Sequence, residues 1–415
     1  MTEDIVVALW EMYGLKSNPF STNPLLIRGG ILPIDCFVGR KQEISTLELK
    51  FGSGGSRVLV IGDVGVGKTS FVNFVRYKAM NYGYFSPIRE IAVLNNWSTY
   101  DFILNTLFAI YTTIIGESKQ NLLPKSLLDK IKGLVEIGQN IFTGGGFSIA
   151  GFGAQWSKDQ KTAYPIPYMA LLNLIENVVN EIYSKTGKEI ILHYNNLENL
   201  EEQNLKTLFN DLRDFMQTPN INFIFVGNLT VNNIIQNITR VSTIFSDTIK
   251  INELSLSEVK AIINIRLEKL KIPGMKLTKP FEDSALDILY KLYGGNIRSI
   301  LNSLDAAITA SANQLPFILK KDNLPSILYN VAETKFLGNI TQKAKSILLE
   351  AVKYKEITNS ELSRQTKTDK PNISKYIKEL ENAGCLFLRR KNGRDKYWSV
   401  NPNLKWLLLK DNTKF

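Results

Sequence analysis

The chain has 415 residues, enough for two or three domains that each bury a core. Hydrophobic residues make up 44% and charged residues 21%, typical of a globular protein, and no apolar run approaches the roughly 18 residues of a membrane span. The start is acidic, and its apolar part is too short for a signal peptide. Two widely separated cysteines exclude a disulfide framework and one histidine excludes a multi-histidine metal site, so we expect a protein of the reducing cytoplasm.

The first two thirds of the chain alternate short apolar runs with amphipathic segments. Alternating strands and helices favour a parallel α/β sheet. The segment 138–156, rich in Gly and aromatic residues, is interpreted as a loop or hairpin insertion. Buried strands are predicted at 57–61, 87–94, 188–195, 221–227 and 246–251, and helices at 70–80, 99–137, 168–185 and 205–216.

A glycine-rich motif follows the first predicted strand. Residues 62–69 read GDVGVGKT and fit G-x-x-x-x-G-K-[ST], with an amphipathic helix after it. Glycines allow positive φ, so that backbone N–H groups point at a phosphate, and the helix adds its N-terminal partial charge. The motif predicts ATP binding, although a plain Gly-rich turn would have a similar sequence. The predicted contacts are Gly62, Asp63, Val64, Gly65, Val66, Gly67, Lys68 at the β- and γ-phosphates, Thr69 on Mg²⁺, and Ser70.

Only helices are predicted from 256 to 314, and 315–338 is interpreted as a linker with some helix. The net charge of +11 is concentrated beyond that point. Residues 341–415 carry 17 Lys and Arg against 8 Asp and Glu, whereas the preceding 340 residues carry 33 against 31. A basic module is typical of a protein that binds a polyanion, but a solvated tail would have the same composition.

Residues 341–400 fit three helices and a hairpin. Helices are predicted at 344–352, 358–366 and 370–384, the second with a capping box of Thr358 and Glu361. Asn392-Gly393 is a strong hairpin signal. In the third helix Ile373, Ile377 and Leu380 define a buried face, so the polar residues face outward. The candidate DNA contacts are Lys370, Asn372, Ser374, Lys375 and Lys378 on that helix, and Arg389, Arg390, Lys391, Arg394 and Lys396 on the hairpin.

Taken together, these pieces resemble AAA+ ATPases, above all the origin-recognition/initiator group and related ATPases of the STAND type, with a C-terminal module similar to winged helices. The resemblance spans nearly the whole chain. It implies a lead-in over 1–45 in which FVGRKQEI (37–44), with Val38 and Gly39, contacts adenine. The remaining domains that it implies are a P-loop core over 46–253, a helical lid over 254–315, a linker over 316–340 and a winged helix-turn-helix over 341–415.

The same resemblance implies three further site residues. FIFVGN (223–228) is similar to a strand ending in a sensor, here Asn228, which would hold a water in line with the γ-phosphate. GGNIRSIL (294–301) is similar to the second sensor, here Arg298, which would reach that phosphate from the lid. TRVSTIF (239–245) is similar to a segment carrying an arginine finger, here Arg240, which would complete a neighbouring subunit's site. The alternatives are a helix cap for Asn228 and surface ion pairs for both arginines.

One departure concerns hydrolysis. Related ATPases usually carry acidic residues where IILHYNNLENL (190–200) has Asn195 and Asn196, and an amide is neither a strong Mg²⁺ ligand nor a general base. Glu198 matches a third acidic position of some relatives. The departure weakens the expectation of hydrolysis without affecting that of ATP binding.

Three functions are compatible with these features. The first is a DNA-associated ATPase with slow hydrolysis, whose winged helix holds double-stranded DNA and which assembles into a homo-oligomer through Arg240. The second is a STAND-type signalling or defence switch whose last domain binds a protein partner. The third is a nucleotide-controlled transcriptional regulator. The basic hairpin favours the first and third, and the Asn195-Asn196 pair favours the second and third.

Overall fold

The computed structural model describes residues 9–51, 54–95, 97–142, 166–311, 317–393 and 395–409. The contacts divide the chain into two compact units. Residues 23–252 form one, called the sheet unit, and residues up to 22 together with those from 253 onward form the other, called the C-terminal unit. The predicted lead-in 1–45 is therefore shared, with its described residues 9–22 in the C-terminal unit and the rest in the sheet unit.

The sheet unit contains five parallel strands in the order β2-β3-β4-β1-β5. The neighbouring interior strands β3 and β4 are buried along their whole length, as the continuous apolar runs predicted. The carboxyl ends of β1 and β4 lie side by side, because Ile61 is the register partner of Gly227. The strands are β1 (Arg57–Ile61), β2 (Ile91–Ala92), β3 (Ile190–Asn195), β4 (Ile221–Gly227) and β5 (Asp247–Lys250).

Helices cover both faces of this sheet. Alternate residues of each strand point to opposite faces, so two apolar clusters form, one containing Val58 and Val60 and the other Leu59 and Ile61. The described helices of the unit are α1 (Lys41–Phe51), α2 (Lys68–Asn81), α3 (Thr99–Gly116), α4 (Lys125–Phe142), α5 (Tyr168–Thr186), α6 (Glu202–Asp211), α7 (Arg213–Met216), α8 (Leu229–Gln236) and α9 (Thr239–Ser242).

Two sequence predictions in this unit are corrected. The strand expected over 87–94 is only Ile91–Ala92, at the edge of the sheet, and Pro87 at its expected start has no N–H for a ladder bond. Residues 138–142 of the expected insertion are helical instead, because α4 continues to Phe142. The rest of that predicted insertion, 143–156, lies outside the described residues.

The C-terminal unit begins with helices, as predicted. Ser255 and Glu258 form a capping box at the start of α10. The chain start is attached to that helix, since the buried Arg266 donates hydrogen bonds to the carbonyl oxygens of Pro19 and Ser21 at 3.2 and 2.9 Å. The helices are α10 (Leu256–Leu270), α11 (Asp283–Tyr293), α12 (Ile297–Ala310) and, inside the predicted linker, α13 (Leu324–Ala332).

Three more helices and a three-stranded antiparallel sheet follow. The helices and the hairpin come in the order predicted for 341–400, whereas the short third strand that pairs with the hairpin was not predicted. The sheet order is β6-β8-β7, and the predicted capping box of Thr358 and Glu361 is present. After the hairpin the chain returns to the preceding helices, where the Trp406 indole donates to the Ser303 hydroxyl at 2.8 Å. The elements are α14 (Gln342–Ala351), β6 (Ile357–Thr358), α15 (Asn359–Thr366), α16 (Lys370–Asn382), β7 (Leu386–Asn392) and β8 (Asp395–Val400).

None of the described helices is long and apolar enough to cross a membrane. Within the described ranges, no three His, Cys, Asp or Glu side chains are grouped as a metal site. Cys36 and Cys385 are both buried free thiols.

Candidate functional site

The glycine-rich loop connects β1 to α2. Gly65 has φ 88° and Gly67 has φ 93°, in the left-handed region that glycine adopts without strain. A β-carbon on Gly62 would lie 2.5 Å from the carbonyl oxygen of Ile251, so this position also requires glycine for lack of space. Among the other loop residues Val66 is buried, Asp63 is half-buried and Val64 is exposed. The backbone therefore has the curved form that the motif predicts.

Lys68 is the first residue of α2 and only 8% exposed. Its ammonium group donates to the carbonyl oxygens of Gly62 at 2.9 Å and Asp63 at 3.1 Å. The positive charge is thus held inside the curve of the loop, at the helix N-terminus, where an anion is favoured. The neighbouring Ser70 hydroxyl accepts a hydrogen bond from the backbone N–H of Leu25 at 3.0 Å, so the segment before α1 is attached to this helix.

The end of β3 meets the end of the loop. Asn195 is buried, and its amide nitrogen donates to the hydroxyl of Thr69 at 3.1 Å. Asn196 follows with φ 65°, a left-handed conformation that asparagine tolerates. Glu198 is half-buried, and one of its carboxylate oxygens is buried with no hydrogen-bond partner among the described residues. Asn195, at the position where an acidic residue was expected, therefore contacts Thr69, the expected Mg²⁺ ligand, but it does so through a neutral amide.

Asn228 directly follows β4, beside the start of the loop. Its side-chain oxygen accepts a hydrogen bond from the backbone N–H of Val231 at 3.0 Å, which makes Asn228 the N-cap of α8. The capping interpretation is therefore confirmed. The sensor role stays a prediction. The side-chain amide nitrogen of Asn228 would have to perform it, because the side-chain oxygen already accepts the capping hydrogen bond.

The two predicted arginines are both exposed. Arg240 lies on the short helix α9 of the sheet unit. Arg298 is the second residue of α12 in the C-terminal unit, two residues after the N-cap Asn296, whose side chain accepts from the N–H of Ser299 at 3.2 Å. Exposure is what a finger or a sensor needs, and both roles remain predictions.

Sequence reasoning missed Arg40. It follows the half-buried Val38 and Gly39 of the predicted adenine segment and is itself 7% exposed. Its guanidinium donates to the carbonyl oxygens of Val66 at 2.9 Å and Asn252 at 2.8 Å. The arginine is visible in the sequence FVGR (37–40). It was missed because an arginine between a glycine and a lysine is usually an exposed surface residue.

A buried polar cluster lies between α2, the helix that follows the glycine-rich loop, and β3. Arg76 is fully buried on α2 and contacts Ser86, Asn73, the carbonyl of Pro87 and, at 3.3 Å, Nδ1 of His193 on β3. Burial lowers the pKa of Arg76 to about 10, which a nearby Glu90 opposes. Burial, followed by the charge of Arg76, holds the pKa of His193 well below its usual value of 6.5. The imidazole is therefore neutral and accepts at Nδ1.

This burial predicts a pH effect on stability. In the unfolded chain the histidine is protonated below about pH 6.5, whereas the folded ring stays neutral there because its pKa is lowered. The stabilisation that His193 contributes to folding is therefore complete above that pH and is lost as the pH falls. The free energy of unfolding should drop by about 1 kcal/mol between pH 6.5 and 5.5 from this residue. Urea unfolding at the two pH values measures it. His193→Asn, which keeps an acceptor for Arg76, should remove this component, and an unchanged pH dependence in that variant would contradict the assignment.

The C-terminal basic module presents a polar helix. On α16 the predicted buried face of Ile373, Ile377 and Leu380 is confirmed. Ser374 accepts a hydrogen bond from the Asn359 side chain at 3.2 Å, and Asn359 also accepts from the Trp398 indole at 2.7 Å, so helix and hairpin are joined. The exposed residues of α16 include Lys370, Asn372, Ser374, Lys375 and Lys378.

On the hairpin, two of the predicted phosphate contacts already have an acidic partner. The Glu356 carboxylate pairs with Arg389 at 3.1 Å and with Arg390 at 2.9 Å. The Arg390 guanidinium also lies 3.6 Å from the ring centroid of Tyr397. Lys396 is exposed, whereas Arg394 and the side chain of Lys391 lie outside the described residues.

No protein-family model and no curated protein sequence matches the chain. Among solved structures it is similar to the Aeropyrum pernix ORC2 protein (ADPNP-ADP complexes), at 14% identity and TM-score 0.46 over 95% of this chain and 96% of that one. The A. pernix ORC1 protein in complex with DNA has 14% identity and TM-score 0.45 over 94% and 96%. A Walker-type ATPase of Pyrococcus abyssi has 12% identity and TM-score 0.46 over 94% and 99%.

The class of the protein rests on its own sheet and loop. A parallel sheet in the order β2-β3-β4-β1-β5, with the glycine-rich loop between β1 and α2, defines an α/β P-loop ATPase-like core.

Proposed function

We propose that this protein is an AAA+-type, ATP-binding switch that acts on double-stranded DNA through a C-terminal winged helix and hydrolyses ATP slowly. The observation that carries the ATP part is the contact between Asn195 and Thr69 at 3.1 Å, because it joins the end of β3 to the P-loop. In P-loop NTPases an acidic residue and a P-loop hydroxyl hold the same Mg²⁺, and Asn195 and Thr69 would share that task here. The positive φ angles of Gly65 and Gly67 and the buried Lys68 support the same conclusion.

The side chains present fit Mg²⁺–ATP, but they would hold Mg²⁺ less strongly than a site with an acidic residue at position 195. Thr69 would ligate the ion, Lys68 would neutralise the β- and γ-phosphates, and Mg²⁺ would stabilise charge on the transferred phosphate. Asn195 has no charge to offer, so it would hold a metal-bound water only weakly. Glu198, with its buried unpartnered oxygen, is the nearest described carboxylate in sequence that could orient the attacking water.

Turnover should therefore rise when the missing charge is restored. Asn195→Asp places a carboxylate beside Thr69 with nearly the same shape. We expect slow wild-type turnover, below about 1 per second, and a rate increase of at least about tenfold in the variant, since a charge-assisted interaction is worth roughly 1.5–3 kcal/mol. A phosphate-release assay at saturating Mg²⁺–ATP measures both.

The matched control is Asn222→Asp, a buried asparagine on the adjacent strand β4 that contacts Ser56 and Glu189 rather than the P-loop. It should not accelerate turnover. A wild-type rate within the usual enzyme range would refute slow hydrolysis, and an unchanged rate in Asn195→Asp would refute the metal role of this position.

The DNA part of the proposal rests on the exposed face of α16 and on charge. Small polar and basic side chains lie along that face, a combination suited to base edges and phosphates of a major groove. The described hairpin cations beside it would contact the flanking backbone. Arg240, exposed on α9, would complete the ATP site of a neighbouring copy, so that ATP favours assembly on DNA.

A second candidate function has a specific observation in its favour. Phe387 and Leu388 on β7 are 46% and 38% exposed, and Glu356 offsets part of the hairpin charge. An exposed apolar pair next to a partly neutralised ion cluster suits a protein partner, as in a STAND-type switch. A nucleotide-controlled transcriptional regulator would share the DNA surface but need no turnover.

Binding of the full chain to a labelled 30-base-pair duplex, titrated with and without Mg²⁺–ATP, tests these functions. Salt-sensitive duplex binding that ATP strengthens supports the proposal. ATP binding without duplex binding would replace it with the partner-sensing switch. Absence of ATP binding would overturn it entirely.

A further inference from the structure

Arg40 contacts one particular peptide of the phosphate loop. Its Nη2 atom donates to the carbonyl oxygen of Val66 at 2.9 Å, and both residues are buried. Val66 immediately precedes Gly67, the N-cap of α2. The guanidinium therefore lies behind the last turn of the loop before the helix.

The geometry of a peptide bond turns this contact into a constraint on Gly67. A trans peptide is planar, so its carbonyl oxygen and the following N–H point in opposite directions. Because the oxygen of Val66 points to Arg40, the N–H of Gly67 points away from it. No backbone carbonyl of the described turns and loops accepts a hydrogen bond from that N–H, which is one of the donors that a helix N-terminus leaves without an intrahelical partner.

A cation on the carbonyl also strengthens the donor. Hydrogen bonds in a chain polarise one another, and a charged donor does so more than a neutral one. The Arg40 guanidinium thus makes the Gly67 N–H a better donor to an anion. Its ion pair with Glu43 is loose, at 3.8 Å, so that carboxylate offsets the charge only in part.

The backbone is held in an unusual conformation to place Arg40 there. Gly39 has φ 85° and Arg40 itself has φ 56°, which is uncommon for a residue with a β-carbon and costs of order 1 kcal/mol. The same Nη2 atom donates to the carbonyl of Asn252 at 2.8 Å, just past β5. Such a conformation persists only where surrounding contacts hold it in place. Here the contacts that hold Arg40 are its hydrogen bonds to Val66 in the phosphate loop and to Asn252.

We propose that Arg40 is a positioning residue for phosphate binding, which orients and polarises the Val66–Gly67 peptide so that the Gly67 N–H binds a phosphate oxygen. The proposal rests on the proposed ATP binding. It assigns Arg40 to the phosphates, although its neighbours Val38 and Gly39 belong to the segment expected at adenine. A base-side role is therefore the competing explanation.

The test compares ATP with inorganic tripolyphosphate, which lacks the base and sugar. Arg40→Ala should weaken both ligands by the same factor, about tenfold or more, because the interaction that it removes acts at the phosphates. Arg40→Lys keeps the charge but not the planar fork, and should lie between wild type and Arg40→Ala. Calorimetry gives both affinities, and circular dichroism with thermal unfolding checks the fold.

Arg266→Ala is the matched control, since it also removes a buried arginine that donates to two backbone carbonyls, but in the C-terminal unit. It should leave both affinities unchanged. Weakened ATP binding with unchanged tripolyphosphate binding in the Arg40 variants would overturn the proposal in favour of a base-side role. Unchanged affinity for both ligands would overturn it as well. Absence of wild-type ATP binding would instead sink the proposed function.

Discussion

Replacing Lys68 by alanine is expected to abolish measurable ATP binding while the sheet unit stays folded. The ammonium group is buried inside the loop and is the charge that would meet the β- and γ-phosphates. Removing a charge-assisted interaction from a buried site costs about 3 kcal/mol, which weakens binding by more than about 100-fold. Isothermal calorimetry with Mg²⁺–ATP measures the change.

The control is Lys78→Ala on the same helix, where the lysine is partly exposed and pairs with Glu48 at 2.6 Å. Its ATP affinity should equal that of the wild type. Both variants should show the thermal unfolding profile of the wild type, because neither side chain belongs to the apolar clusters of the sheet. Equal ATP affinity in wild type and Lys68→Ala would show that the loop is not a nucleotide site.

The second large effect concerns DNA. The triple variant Arg389→Ala, Arg390→Ala, Arg394→Ala is expected to weaken duplex binding for every sequence and to flatten its salt dependence. Removing one cation from a phosphate lowers the log–log slope of affinity against salt by about 0.9. Asn372→Ala or Lys375→Ala on α16 should instead change sequence preference, because that helix would face base edges. Fluorescence anisotropy over a salt titration separates the two effects.

Glu356 makes this test sharper. It pairs with both Arg389 and Arg390, so Glu356→Gln should release two cations and strengthen duplex binding. Removing three exposed lysines of the sheet unit, Lys125, Lys130 and Lys185, deletes the same charge and should leave the slope unchanged. Wild-type binding by the triple variant across the titration would assign the module to a protein partner.

Local sequence was enough to predict most of the elements and the phosphate loop. Apolar periodicity placed β1, β4 and the face of α16, because burial on one side of a helix or both sides of a strand leaves a local pattern. The motif placed Gly62, Gly67 and Lys68, because a curved loop and a charge at a helix start need particular residue types at fixed spacing. The capping box at α15 was also local.

Which distant groups meet is a property of the folded chain. Arg40 contacts Val66 and Asn252, Asn195 contacts Thr69, and Glu356 contacts the hairpin arginines, although tens of residues separate most of these partners. The same holds for residues 9–22, which belong to the C-terminal unit and contact Arg266 through Pro19 and Ser21. Polar side chains leave no periodic signal, and their partners are set by strand order and helix packing. The elements were therefore predictable, while the contacts that tune the site followed only from the tertiary structure.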